Sequence, residues 1–306
     1  MIARAAAKVN LQLGVGPLRE DGYHDLLSVF HAVSLFDEVT AEPAGRLEVS
    51  VEAAPDAQVA IGEVPVNGDN LAVRAARLVA ARLGVEPLVR LRIRKAIPVA
   101  GGMAGGSADA AAALVACARL WDDPGEPRLS RDDLIELGAE LGSDVPFSVL
   151  GGTAIGVGRG ERLSPVLTRG TFHWVFATAD GGLSTPAVYA ECDRIRAAGG
   201  EQAPWPEVSE ELIAALATGD AKSLGAALVN DLQPAALALR PSLRRTLTAG
   251  RDLGAIGAVV SGSGPTCAFL AESDDHAGEL SEALLATGLA GSVVRSSGPV
   301  SGATVV

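Results

Sequence analysis

The sequence predicts an α+β fold in two domains, and three observations carry that reading. Strand-like and helical stretches are interleaved without a strict strand–helix–strand repeat, which disfavours a doubly wound parallel sheet. A chain of 306 residues is long for one compact core. Its 48% hydrophobic and 20% charged residues describe a globular protein able to bury that core. With aromatics at only 4%, Ala, Val and Leu must fill it.

A strand-like run begins at Met1-Ile2-Ala3-Arg4, and alternation or β-branched content marks strands near Leu47–Val51, Val89–Arg94, Trp174–Thr178, Ala258–Val260 and Cys267–Ala271. Helical periodicity predicts helices at Leu71–Leu83, Ser107–Trp121, Arg131–Leu141, Pro186–Ala198, Ser209–Ala217, Ala221–Leu228, Pro241–Ala249 and Asp275–Thr287. Residues 122–127 and 199–206 read as surface connections. The change of domain is placed near Gly160, giving an N-terminal domain of residues 1–160 and a C-terminal domain of residues 161–306. The Gly-, Ser- and Val-rich tail from Ser296 to Val306 is expected to fray.

Charge and cysteine usage narrow the function. A net charge of -12 argues against nucleic acid or an anionic membrane as partner, since both need a basic surface. No apolar signal core opens the chain and no long apolar run escapes a charge or a glycine turn, so the expected location is cytoplasmic. Cys117, Cys192 and Cys267 are too far apart for a disulfide framework or a zinc site, and are expected to be buried thiols. His24, His31, His173 and His276 have no metal-ligand spacing, so no protein-held metal is expected. A homodimer is left open.

The strongest local signal is Pro98-Val99-Ala100-Gly101-Gly102-Met103-Ala104-Gly105-Gly106-Ser107, between a strand and an Ala-rich helix. Glycines let a backbone approach an anion closely, and a helix N-terminus offers it unpaired N–H groups. Ser107 could cap the helix or donate to a phosphate, and Asp109 suits a first turn. A plain glycine-rich turn is the competing reading. The loop is neither a Walker A sequence, lacking a closing Gly-Lys-Ser/Thr, nor a good dinucleotide fingerprint.

Four further clusters are compatible with chemistry or with structure alone. Asp144, in Leu141-Gly142-Ser143-Asp144-Val145-Pro146-Phe147, could stabilise a turn or accept a hydroxyl proton. Lys8, in Lys8-Val9-Asn10, is an edge residue unless it faces Asp144. Tyr23 and His24 could fill a core edge, or stack on and bond a planar base. Ser261-Gly262-Ser263-Gly264-Pro265-Thr266 reads as a connection between two strands.

In this order the segments resemble the three motifs of the GHMP kinase superfamily: Lys8-x-Asn10, the 98–107 loop and the 261–266 turn. Arg19-Glu20-Asp21-Gly22-Tyr23-His24, Asp69-Asn70-Leu71-Ala72-Val73-Arg74-Ala75-Ala76 and the Asp144 cluster are similar to its branch acting on a cytidine diphosphate-linked methylerythritol. The resemblance runs from Ala3 to about Leu270. It implies a ribosomal S5 domain 2-like N-terminal domain, a ferredoxin-like C-terminal domain, and an active site between them. It implies transfer of ATP's γ-phosphoryl group, with Mg²⁺ arriving on the nucleotide, in non-mevalonate isoprenoid precursor synthesis. By resemblance, Asp144 is the base and Lys8 its partner. Asn10 holds the substrate, His24 bonds the cytosine, and Tyr23 and Tyr189 sandwich it. The 98–107 loop holds the triphosphate, while Asn70 and Lys95 lie by the adenine. Ala100, Met103 and Ala104 stand where relatives often carry Gly, Leu and Gly, and Ala108 replaces a common Ser, so positive φ at either alanine is the test of loop geometry. Homoserine or mevalonate kinase is the rival enzyme, disfavoured by the base-reading segment. A non-catalytic relative is disfavoured by Lys8, Ser107 and Asp144 occurring together.

Overall fold

A computed structural model of the chain describes residues 1–55, 57, 59–122, 128–179, 181–200 and 203–306. Two long strands dominate its first half: β1 (Ile2–Leu18) and β2 (His24–Pro43) pair antiparallel through most of their length. Every β1 residue from Ala5 to Gly16 is buried, the polar Lys8, Asn10 and Gln12 included, so burial along the strand does not alternate from one face to the other. Sheets covered on both faces lose that pattern, and β2 escaped the sequence reading for the same reason.

β3 (Glu48–Ala53) runs parallel to β4 (Val89–Lys95), and β4 pairs with the far half of β2. β5 (Thr153–Gly158) takes the near half of β2, and β6 (Arg162–Pro165) extends it. The second sheet has the order β11 (Ser292–Gly298), β7 (Phe172–Thr178), β10 (Cys267–Ala271), β9 (Gly257–Val260), all antiparallel. Two short strands return to β1 in the first sheet: β8 (Val229–Asn230) and β12 (Thr304–Val305).

The helices are α1 (Leu71–Leu83), α2 (Gly105–Trp121), α3 (Arg131–Leu141) and α4 (Val145–Leu150), then α5 (Thr185–Gly199), α6 (Glu210–Thr218), α7 (Ala221–Ala226), α8 (Gln233–Leu239), α9 (Ser242–Asp252) and α10 (Asp274–Ala286). α2 is central: Ala108 to Ala118 are all buried, the mark of a helix apolar on every side. Its run of alanines lets α1, β1 and β2 pack close around it. β7 joins the two cores through its period of two. Phe172, Trp174 and Phe176 face the larger core, and Val175 and Ala177 face the core of the second sheet.

The predicted α1 and α3 match, whereas α2 starts two residues before the predicted Ser107. α4 and α8 were not expected; each carries Pro at its start, where proline is tolerated but reads in sequence as a turn. The tail is a clear correction. Ser296 and Ala303 are buried, and β12 is paired with β1. Gly298 and Gly302 make this docking possible, because a Cβ on either would overlap backbone atoms near Ala32 or Leu150. Residues 123–127 and 201–202 of the two expected connections lie outside the described residues. The three cysteines are buried free thiols, as expected, and burial pushes Cys117 and Cys267 up to about 12. Among the described residues no helix is long and apolar enough to cross a membrane.

Candidate active site

A cleft of about 710 Å³ opens between the two sheets, lined by β1, β2, the 98–107 loop, α5 and the 261–266 turn. One end of the cleft is the start of α2. Pro98, Ala100, Gly101, Gly102, Ala104, Gly105, Gly106 and Ser107 all reach the cleft wall. Ala104 is the helix N-cap and makes no side-chain cap, so nothing on its side chain takes up the unpaired N–H groups of the first turn. Ser107 lies inside that turn rather than at the cap. Ala100 (φ 54°) and Ala104 (φ 61°) are the non-glycine residues with positive φ among the described ones. The two alanines that depart from the family pattern thus adopt the left-handed backbone that glycine ordinarily supplies, at a cost of roughly 1 kcal/mol or more each.

The loop is held from behind. A Cβ on Gly102 would overlap the Ser261 carbonyl, and the Ser261 hydroxyl donates to the Gly102 carbonyl at 3.1 Å. Below the first turn, Lys95 donates to Asp37 (2.5 Å), Asp109 (2.7 Å) and the Gly105 carbonyl (3.2 Å). Burial opposes the Lys95 charge, but Asp109 and Asp37 outweigh it and hold its pKa above the ordinary lysine value. Burial raises Asp109 well above the carboxylate range, against the pull of Lys95, and its Oδ1 has no partner.

Four residues expected at the nucleotide do not line this cleft. Lys95 is spent in that buried ion cluster, and Asn70 caps α1 by accepting from the Ala72 N–H. Met103 is wholly buried, its carbonyl accepting from the Lys8 N–H; Val99 is half-buried outside the lining.

At the centre of the cleft Lys8 faces Asp144, with Nζ 3.7 Å from Oδ2. Asp144 is the N-cap residue of α4, yet its carboxylate makes no cap bond and stays available to the cleft. Lys8 donates to Asn10 Oδ1 (2.6 Å), and Asn10 Nδ2 donates to Ser28 Oγ (2.7 Å). That chain fixes the Asn10 amide. Burial lowers the Lys8 pKa, and Asp144 only partly offsets it. The Lys8–Asp144 meeting that the sequence made conditional is therefore formed.

The other end is made of side chains. His24 is buried, stacked on Tyr189 with centroids 5.2 Å apart, and its Nε2 lies 3.0 Å from Asp193 Oδ1. Burial, then the nearby Asp144 charge, raises the Tyr189 pKa, so it stays a phenol. Tyr23 is 53% exposed, with the Arg159 guanidinium 5.4 Å from its ring centroid. Ser28, Arg159, Thr185 and Asp193 line the cleft without having been singled out. Asp193 had a legible signal, standing four residues after Tyr189 on one helix and so on the same face. Arg159, in a loop, had none.

Family models described as GHMP kinases N terminal domain and GHMP kinases C terminal match residues 70–152 and 212–289. A curated relative from Thermobifida fusca, 4-diphosphocytidyl-2-C-methyl-D-erythritol kinase, is 59% identical over 308 residues, covering 99% of this chain and 97% of the relative. The chain belongs to the 4-diphosphocytidyl-2-C-methyl-D-erythritol kinase family of GHMP kinases. A solved 4-(cytidine 5'-diphospho)-2C-methyl-D-erythritol kinase superposes with a TM-score of 0.77 at 34% identity, over 97% of this chain and 98% of that one. A homoserine kinase from Cytophaga hutchinsonii superposes nearly as well, TM-score 0.74 over 100% and 97% of the two chains, at 17% identity. That second likeness is one of fold alone, so the α+β GHMP kinase fold is shared well beyond the family.

Proposed function

We propose that the chain transfers the γ-phosphoryl group of ATP to the 2-hydroxyl of 4-diphosphocytidyl-2-C-methyl-D-erythritol, in the non-mevalonate route to isoprenoid precursors. The observation that carries the reading is the Lys8–Asp144 pair standing in one cleft between a phosphate loop and an aromatic–imidazole cluster. Homoserine and mevalonate carry no base for such a cluster to read.

The triphosphate lies along the 98–107 loop, its charge met by the N–H groups at the start of α2. Tyr23, His24 and Tyr189 hold the cytosine, and Asn10 holds the polyol. Asp144 Oδ accepts the hydroxyl proton as that oxygen bonds to the γ-phosphorus, and the bond to the β,γ-bridging oxygen breaks to release ADP. Lys8 orients the Asp144 carboxylate and offsets charge gathering on the attacked phosphoryl oxygens. Asn70 and Lys95 remain proposed for the adenine side, Lys95 through the strand end it anchors rather than its ammonium.

Mg²⁺ suits the cleft as a nucleotide-borne ion. Ser107 faces the cleft and presents a hard oxygen of the kind it prefers. Bound, it would neutralise charge on the β- and γ-phosphate oxygens. A cytoplasmic location without nucleic-acid or membrane partners goes with this reading. The test is ADP release with the cytidine-linked substrate, homoserine and mevalonate offered separately. Turnover is expected with the first alone, and turnover confined to either other acceptor would overturn the proposal.

A further inference from the structure

The geometry points to Asp193 as a positioning residue that fixes which nitrogen of His24 faces the base, and thereby sets a preference for cytosine over uracil. The inference rests on the cytidine-linked substrate proposed above. An ionised carboxylate can only accept hydrogen bonds, so the 3.0 Å contact of Asp193 Oδ1 with His24 Nε2 requires the proton on Nε2. A neutral ring then carries none on Nδ1. Among the described residues no hydrogen bond engages that atom, and His24 lines the cleft.

Two features hold the ring in this sense. Asp193 and Tyr189 stand four residues apart on α5, so the helix supplies both the carboxylate and the ring stacked on His24 at an interplanar angle of 23°. Turning the imidazole over would trade the Asp193 bond for a carboxylate facing a carbon. A bare Nδ1 accepts from the exocyclic amine of cytosine. Uracil presents a carbonyl at that position, setting lone pair against lone pair. One such mismatch in a shielded site is worth about tenfold to hundredfold in kcat/KM.

The experiment compares the wild-type enzyme with Asp193→Ala and Asp193→Glu, using cytidine and uridine diphosphate-linked methylerythritol as substrates. Imidazole ¹⁵N NMR, assigned among the four histidines, is recorded on the same proteins. The wild type is expected to hold His24 as the Nε2–H tautomer. In Asp193→Ala both tautomers should appear, and the cytidine-to-uridine ratio of kcat/KM should fall at least about tenfold, with the KM for ATP unmoved. Asp193→Glu should recover part of the ratio. A proton on wild-type Nδ1, or an unchanged ratio in an active Asp193→Ala, would overturn the assignment. A wild type inactive on the cytidine substrate would instead sink the proposed function, and the tautomer measurement would still judge the Asp193–His24 pairing.

Discussion

At the proposed phosphate end of the cleft the groups on offer are backbone N–H groups on a loop packed from behind. At the base end they are side chains, and Tyr23 is more than half exposed. The phosphate loop touches the 261–266 turn through glycine positions with no room for a Cβ, and stands on the buried Asp37–Lys95–Asp109 cluster. The base end relies on single pairs: His24 on Tyr189, His24 with Asp193, Arg159 over Tyr23. An anion held by backbone needs a backbone that cannot move, whereas a base held by side chains needs only those side chains. Damage should therefore spread at the first end and stay local at the second.

The largest effect is expected between the ends. Asp144→Asn removes the proton acceptor and should lower kcat by about 10²–10⁴-fold with little change in the KM for ATP. Steady-state kinetics checks it, and a near-normal kcat would take Asp144 out of the chemistry. Gly102→Ala should come next, because its φ of 74° and the Ser261 carbonyl both exclude a methyl. It is expected to cost about 3 kcal/mol or more of stability and to raise the KM for ATP, read by denaturant unfolding and kinetics together. His24→Ala should raise the KM for the cytidine substrate by about tenfold or more, with ATP binding and Tm hardly moved. Were Tm to fall as far as in Gly102→Ala, the contrast between the ends would fail. Ala104→Gly should do least. Relief of left-handed strain, about 1–2 kcal/mol, is opposed by glycine's entropy cost of about 0.5–1 kcal/mol, so stability should rise by about 1.5 kcal/mol at most. Calorimetry tests that near-cancellation.

The same contrast explains what could be read beforehand. Gly101, Gly102, Gly105 and Gly106 were legible because a backbone site writes its requirement as a missing Cβ. The positive φ of Ala100 and Ala104 was legible only as a question, since alanine can adopt several backbone conformations and the packed loop selects one. Lys95, placed by the adenine through resemblance, has its ammonium in a buried ion cluster, and Asp37 lies 58 residues away in sequence, so no local pattern announces that cluster. Arg159 reaches Tyr23 from the turn that follows β5, the strand paired beside β2, again with no periodic signature.

By itself the sequence determined the interleaved α+β class, the helix that follows the glycine loop, and the family to which the ordered motifs belong. These rest on local periodicity, turn chemistry and residue identity, which survive being written as a string. Tertiary structure alone decided that β1 and β2 run long and buried, that the tail docks on β1, and that Lys8 meets Asp144. It alone set Lys95 beneath the loop and Asp193 beside His24. Each of these depends on which distant segments exclude water from one another, and burial of that kind is a property of the packed chain rather than of any stretch of it.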